Sequence, residues 1–212
     1  MEEPSKAFWL SHLTHLTTLI STVYLISSFL SLVLFPIESG AKDVSTNSKV
    51  TWGLFSLSIN LQLFVTILFW VLVYDSSEKL VFKTIYEHGI LLLLVALDGF
   101  VIHRFPIRFK QIAWVYFVEI SFVIWTGFHA ISDIGNPTKS DNDPETDDDA
   151  IYSSLNWNQR PKGSAILVAI LLCVGVPIMF LVLWSISMCI PKHYDAHEEP
   201  KEEVVEPKEE VV

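Results

Sequence analysis

The chain has almost no cysteine. Cys173 and Cys189 are the only two among 212 residues, and both lie in the last apolar stretch. Sixteen positions separate them, about 24 Å of helical rise, which is beyond the reach of a disulfide. No metal-type cysteine spacing exists either, so neither a disulfide framework nor a zinc site is expected. Cys189 stands near a helix end, where acylation occurs, but an apolar lining role is the simpler reading. Basic charge is also scarce: 14 Lys and Arg stand against 24 Asp and Glu, a net charge of −10. Without a basic stripe to neutralise phosphates, nucleic acid is excluded as a partner. The first apolar run follows Glu2, Glu3 and a single Lys6, is long, and lacks a small-residue cleavage site. A retained helix is expected there, not a leader.

Other absences bear on metals and transport. The acid-rich run from Asp141 to Asp149 has Thr146 and Tyr152 where a calcium loop needs Gly and Glu at its sixth and twelfth positions. It reads as a solvated acidic loop, with no metal and no cofactor expected. A transporter would be suggested by Asp98 and Glu119, but no pseudo-repeat relates pairs of apolar stretches.

Long hydrophobic runs are what the chain does have. Residues of hydrophobic type make up 51% of it, and they gather into five stretches, approximately 13–35, 52–73, 85–102, 112–131 and 165–190. A bilayer core roughly 30 Å thick takes about 20 residues of helix. Open sheet edges cannot be satisfied in hydrocarbon, so an all-α, multi-pass transmembrane bundle over 1–190 is predicted. Short joints make the first four helices antiparallel neighbours. The fourth joint, an acidic loop over 134–163, is longer, and residues 191–212 form a charged tail with a tandem Glu-Pro-Lys-Glu-Glu-Val-Val repeat at 199–205 and 206–212. Its charge and prolines predict disorder. The tail is also a contact surface for a protein partner, and its terminal Glu210-Val211-Val212 has the form of a strand-adding C-terminal ligand.

Five spans put the termini on opposite sides. The N-terminal side carries six basic residues (Lys6, Lys79, Lys83, Lys139, Arg160, Lys162), and the tail side carries the other eight. Arg104, Arg108 and Lys110 cluster in the shortest loop, so that loop and the tail are assigned to the cytosol. Either the plasma membrane or an endomembrane suits this pattern.

Polar groups inside spans are expensive and point to function. Asp98 costs roughly 2.5–3.5 kcal/mol if charged, which its apolar span offsets provided it faces protein or water. Helical spacing aligns Thr14, Thr17, Ser21, Tyr24 and Ser28 on one stripe, and Glu119, Thr126, His129 and Asp133 on another. Small hydroxyl residues on a stripe commonly serve close helix packing. Alternating helix directions bring Thr14, His88, His129 and Asp133 toward the N-terminal side of the membrane. Asn60, Gln62, Asp98 and Glu119 then lie deeper. A hydroxyl, two imidazoles and a carboxylate at one depth suit nucleophilic chemistry, with histidine as the base. Asp98 is ten positions from His88, about 15 Å along the helix, so a carboxylate orienting His88 must come from another span, and Asp133 is at matching depth.

Several segments form an ordered pattern: Phe8-Trp9-Leu10-Ser11-His12-Leu13-Thr14; Phe69-Trp70 followed by Asp75, Glu78 and Leu80-Val81-Phe82; His88, then Asp98 and His103-Arg104-Phe105-Pro106-Ile107-Arg108; and Ile151-Tyr152-Ser153-Ser154-Leu155-Asn156-Trp157. In that order they resemble the androgen-induced and rolling stone families of multi-pass membrane proteins. The androgen-induced resemblance implies intramembrane hydrolysis of fatty acid esters of hydroxy fatty acids, with the catalytic threonine and histidine falling on Thr14 and His88. Membrane lipids and a lipid-ester substrate are the implied partners, and His129 or Asp133, placed at the same depth by the helix reading, would be the supporting group. The rolling stone resemblance implies instead a membrane organiser of the cell-fusion type, acting through its loop and tail.

Overall fold

The computed structural model describes residues 11–34, 46–74, 79–132 and 150–190. Asp133, most of the acidic loop and the repeat tail lie outside them. Five helices are long and apolar enough to cross a membrane: α1 (Leu13–Leu34), α2 (Thr46–Val73), α3 (Phe82–Ile102), α4 (Phe109–Ile131) and α5 (Pro161–Cys189). No strand occurs among the described residues. Four helices start earlier than the apolar runs, α3 and α4 by three residues each and α2 and α5 by more. α2 begins at Thr46 because its polar first turn carries the helix beyond the apolar region. α5 begins at Pro161, whose fixed φ and missing N–H suit a first helical position, so the predicted loop through 163 ends at Arg160.

α2 is the hub: α1, α3, α4 and α5 all pack against it, and its own residues are the most deeply buried of any helix. Phe55, Ile59, Leu61, Phe64 and Val65 form its contribution to the core, meeting Tyr24, Val95 and Phe180 from three neighbours. The outer faces remain apolar, with Phe29, Val71, Leu93, Phe117, Ile124 and Ile178 exposed. Such a surface is unsuited to water and suited to acyl chains. Gly99 lets α3 approach α2; a Cβ there would meet the Phe55 ring at 1.9 Å.

Polar side chains tie the helices at two levels. Toward the C-terminal end of α3, Asp98 accepts hydrogen bonds from Tyr24 and from Ser28 at 2.8 Å. His103 lies 3.7 Å from the same carboxylate and 2.8 Å from Ser28. The intramembrane acid is therefore answered by protein. Halfway along, Gln62 donates to the Glu87 carbonyl at 2.6 Å and receives Ser21 at 3.4 Å, linking three helices. Asn60 is satisfied within its own helix, donating to the Ser56 carbonyl at 2.7 Å, which is a packing role.

Four stretches widen into π-type turns: Phe69–Val73, Tyr86–Ile90, Leu97–Ile102 and Leu171–Gly175. The last has a covalent cause. Pro177 lacks an N–H and its ring crowds the carbonyl four residues back, a conflict that a wide turn relieves. At Tyr86–Ile90 the backbone departs from helical angles at His88 (φ −113°, ψ 19°). The carbonyls of Glu87 and His88 are then taken up by α2 side chains, Gln62 and, at 2.9 Å, Trp70. Backbone groups released in hydrocarbon need such partners.

Candidate active site

Three of these four widened turns border one cavity. It has a volume of about 230 Å³ and lies between the start of α1, the end of α2, the start of α3, the middle of α4 and the start of α5. Leu68, Leu72, Val123, Leu167, Val168 and Leu171 provide apolar walls. Its polar lining is Thr14, His12, His15, Glu87, His88, Glu119, Tyr152 and Ser154. π-type turns are frequent at functional sites because they re-aim individual side chains.

His88 is 5% exposed and stacks on Phe69, with ring centroids 3.6 Å apart and planes 3° from parallel. The Trp70 indole donates to the His88 carbonyl, so ring and main chain are both held by α2. Its Nδ1 is buried without a hydrogen-bond partner among the described residues. His15, on α1, lies within electrostatic reach of it. Glu119 is 3% exposed, and its Oε1 also lacks a partner. Two such atoms belong to residues on the wall of one cavity, where a ligand's polar groups can meet them.

Thr14 is the second residue of α1, where backbone N–H groups have no intrahelical partner. They are met by Tyr152, whose hydroxyl contacts the N–H groups of Leu13 and Thr14 together with the Thr14 side chain. Burial pushes the Tyr152 phenol above its ordinary value, with the nearby Glu119 adding to the rise, so it stays protonated at neutral pH. The Tyr152 ring stands edge-on to His12 at 5.7 Å and tilts against Phe122 at 6.3 Å.

Tyr152 belongs to a segment folded over the cavity and fastened on both sides. Leu155 closes a 3₁₀ turn by donating to the Tyr152 carbonyl at 2.9 Å. Trp157 donates its indole N–H to Thr126 at 3.0 Å, and Ser164 donates to the Asn156 carbonyl at 2.8 Å. The Asn156 side chain accepts the Gln159 N–H at 2.8 Å. The Ile151–Trp157 motif is thus a cap seated between α4 and α5. The family model described as protein rolling stone matches residues 5–196, spanning all five helices and this cap. The chain belongs to the rolling stone family. No curated protein and no solved structure matches it.

In this rolling stone family member the cavity unites Thr14 and His88, from two separate helices, and adds Glu119 to them. His129 is fully buried edge-on to Trp125 at 6.1 Å and is not among the lining residues. Asp98 and Asn60 belong to the ties described above, away from the cavity. The carboxylates on the cavity wall are Glu87 and Glu119, while Asp133 falls outside the described residues. Sequence reasoning did not assign His12, His15, Glu87 or Tyr152 to the site. For the first two the signal was proximity to Thr14 in the opening motif, and for Tyr152 it was a motif that ended up next to a helix start. Among the described residues no group of three or more His, Cys, Asp or Glu is arranged to hold a metal ion.

Proposed function

We propose that this chain is an intramembrane hydrolase of lipid esters, with fatty acid esters of hydroxy fatty acids as the substrate class. The observation that carries the reading is the shared cavity: the Thr14 hydroxyl and the His88 imidazole face one largely apolar chamber within the bilayer-facing bundle. Apolar walls accept acyl chains, and a small set of polar groups among them suits a site that orients a lipid by its ester. The resemblance of the opening and histidine motifs to the androgen-induced family supports the same two roles.

The reaction follows from the side chains. His88 takes the Thr14 proton as Oγ1 bonds to the ester carbonyl carbon, and the carbonyl π pair moves onto oxygen. Collapse of that adduct expels the alkoxide of the hydroxy fatty acid, which recovers the proton from His88. Water, deprotonated by the same imidazole, then cleaves the acyl-threonine and regenerates the hydroxyl. Fixing His88 between Phe69 and Trp70 limits the reorganisation its ring must undergo.

The test is release of hydroxy fatty acid by protein purified in detergent, together with capture of a fluorophosphonate probe. Thr14→Ala and His88→Ala should each reduce turnover by at least 100-fold, and Thr14→Ala should abolish capture. Turnover unchanged in both variants rejects these assignments.

A further inference from the structure

We infer that Tyr152 is a further catalytic residue of this site, donating its phenolic hydrogen to the oxyanion that forms when Thr14 attacks an ester. The inference rests on the hydrolase reading above and extends it to the residue that stabilises charge. Its basis is the meeting of the cap with the first turn of α1.

When Thr14 Oγ1 bonds to a carbonyl carbon, the developing oxyanion is only one bond beyond that carbon. A group already in hydrogen-bond contact with Oγ1 is therefore within reach of it. Tyr152 is in that position, touching the Thr14 side chain while its oxygen also meets the N–H groups of Leu13 and Thr14. With the N–H groups of Leu13 and Thr14 directed at the lone pairs of the phenol oxygen, its own hydrogen is the one left to give, while the Thr14 proton remains for His88. Donation into that oxygen also strengthens the outgoing hydrogen bond, since linked bonds polarise one another, and the positive end of the α1 dipole acts in the same direction. A pre-aimed donor in a low-dielectric site is the arrangement by which enzymes stabilise tetrahedral adducts.

Position matters as much as chemistry, and the cap supplies it. Ala150 and Ile151 are buried on one side of Tyr152, and on the other Trp157 is bonded to Thr126. The ring is further boxed by His12 and Phe122. His88 and Glu119, each with a buried polar atom lacking a partner among the described residues, line the same cavity as Tyr152, so the polar end of a ligand meets further polar groups there. Burial keeps the phenol protonated throughout the neutral range, as a donor requires.

Two variants test this on the full chain in detergent, with a fatty acid ester of a hydroxy fatty acid as substrate. Tyr152→Phe keeps the ring and should lower kcat by about 100-fold, with KM changed less than about threefold and Thr14 still captured by the fluorophosphonate probe. Incorporation of a fluorinated tyrosine at 152 acidifies the phenol without enlarging the contact surface appreciably. It should move the alkaline limb of kcat/KM to lower pH, a shift that a merely structural residue would not produce. Wild-type turnover with an unmoved alkaline limb, or with full kcat in Tyr152→Phe, overturns the role of Tyr152 and leaves the hydrolase reading intact. No turnover by the wild type, and no Thr14-dependent capture, overturns both. Should Tyr152→Phe fail to fold, the fluorinated variant decides alone.

Discussion

Replacing Gly99 with alanine offers a direct measure of how tightly α2 and α3 are fitted. The new Cβ would sit 1.9 Å from the nearest Phe55 ring atom, against an ordinary contact of 3.4–4 Å. The ring must then retreat by about 1.5 Å (3.4 less 1.9), or the helices must separate. Retreat is blocked: Phe55 is wholly buried, with Phe100 at 5.1 Å, Tyr24 at 5.6 Å and Phe105 at 5.8 Å around it. Overpacking of a filled core typically costs about 1–3 kcal/mol, and a boxed aromatic ring belongs at the upper end, on the order of 3 kcal/mol. Thermal unfolding of the detergent-purified protein should register this as a fall of several degrees. Truncating the obstacle provides the control. In a Phe55→Ala background, already destabilised by about 3–5 kcal/mol, adding Gly99→Ala should cost less than about 0.5 kcal/mol because the two positions are coupled. Wild-type unfolding of Gly99→Ala, or a penalty that survives undiminished beside Phe55→Ala, would refute the packing argument.

Two further outcomes follow from the cap. Trp157→Phe and Thr126→Val each remove the 3.0 Å hydrogen bond between cap and α4 and should each destabilise the cap by about 1 kcal/mol; the pair together should cost little more than either alone, read by amide hydrogen exchange over 150–160. Tyr152 gives a pH dependence: its folded phenol holds the proton more tightly than the ordinary value of 10.0, so the stability this confers is complete below that pH and declines as pH rises through the folded value. Tyr152→Phe should therefore show a shallower loss of unfolding temperature between pH 9 and 11 than the wild type, and identical slopes would contradict the burial of the neutral phenol.

The number and rough limits of the helices were legible because hydropathy reports immersion in hydrocarbon directly. It does not report where a helix begins, which is why α2, α3, α4 and α5 all start before their apolar runs. The α1 stripe was legible too, since 3.6-residue spacing alone places Thr17, Ser21, Tyr24 and Ser28 on one face, and all four are buried. The lining of the cavity was legible only in part. Depth bookkeeping along alternating helices paired Thr14 with His88, but it put Glu119 deeper and could not foresee that the cavity reaches down to it. The widened turn around Leu171 follows from Pro177 in its own helix, whereas the one around His88 was not legible because it is stabilised by side chains on another helix. Gln62 and Trp70 stabilise the one at His88, and neither is near it in sequence. Tyr152 was hidden for the same reason: its partners, Leu13 and Thr14, lie at the other end of the chain.

The Gln62 tie bears on how the protein is made. The carbonyl that its amide bonds belongs to Glu87, in the helix synthesised immediately afterwards, so α2 leaves the ribosome before its folded-state acceptor exists. An uncompensated amide in hydrocarbon is costly. Lateral release of α2 from the insertion machinery is therefore more favourable with α3 beside it, which promotes entry of the two as a hairpin. Gln62→Leu would free α2 to partition alone, changing the timing of membrane entry before any folded contact is lost.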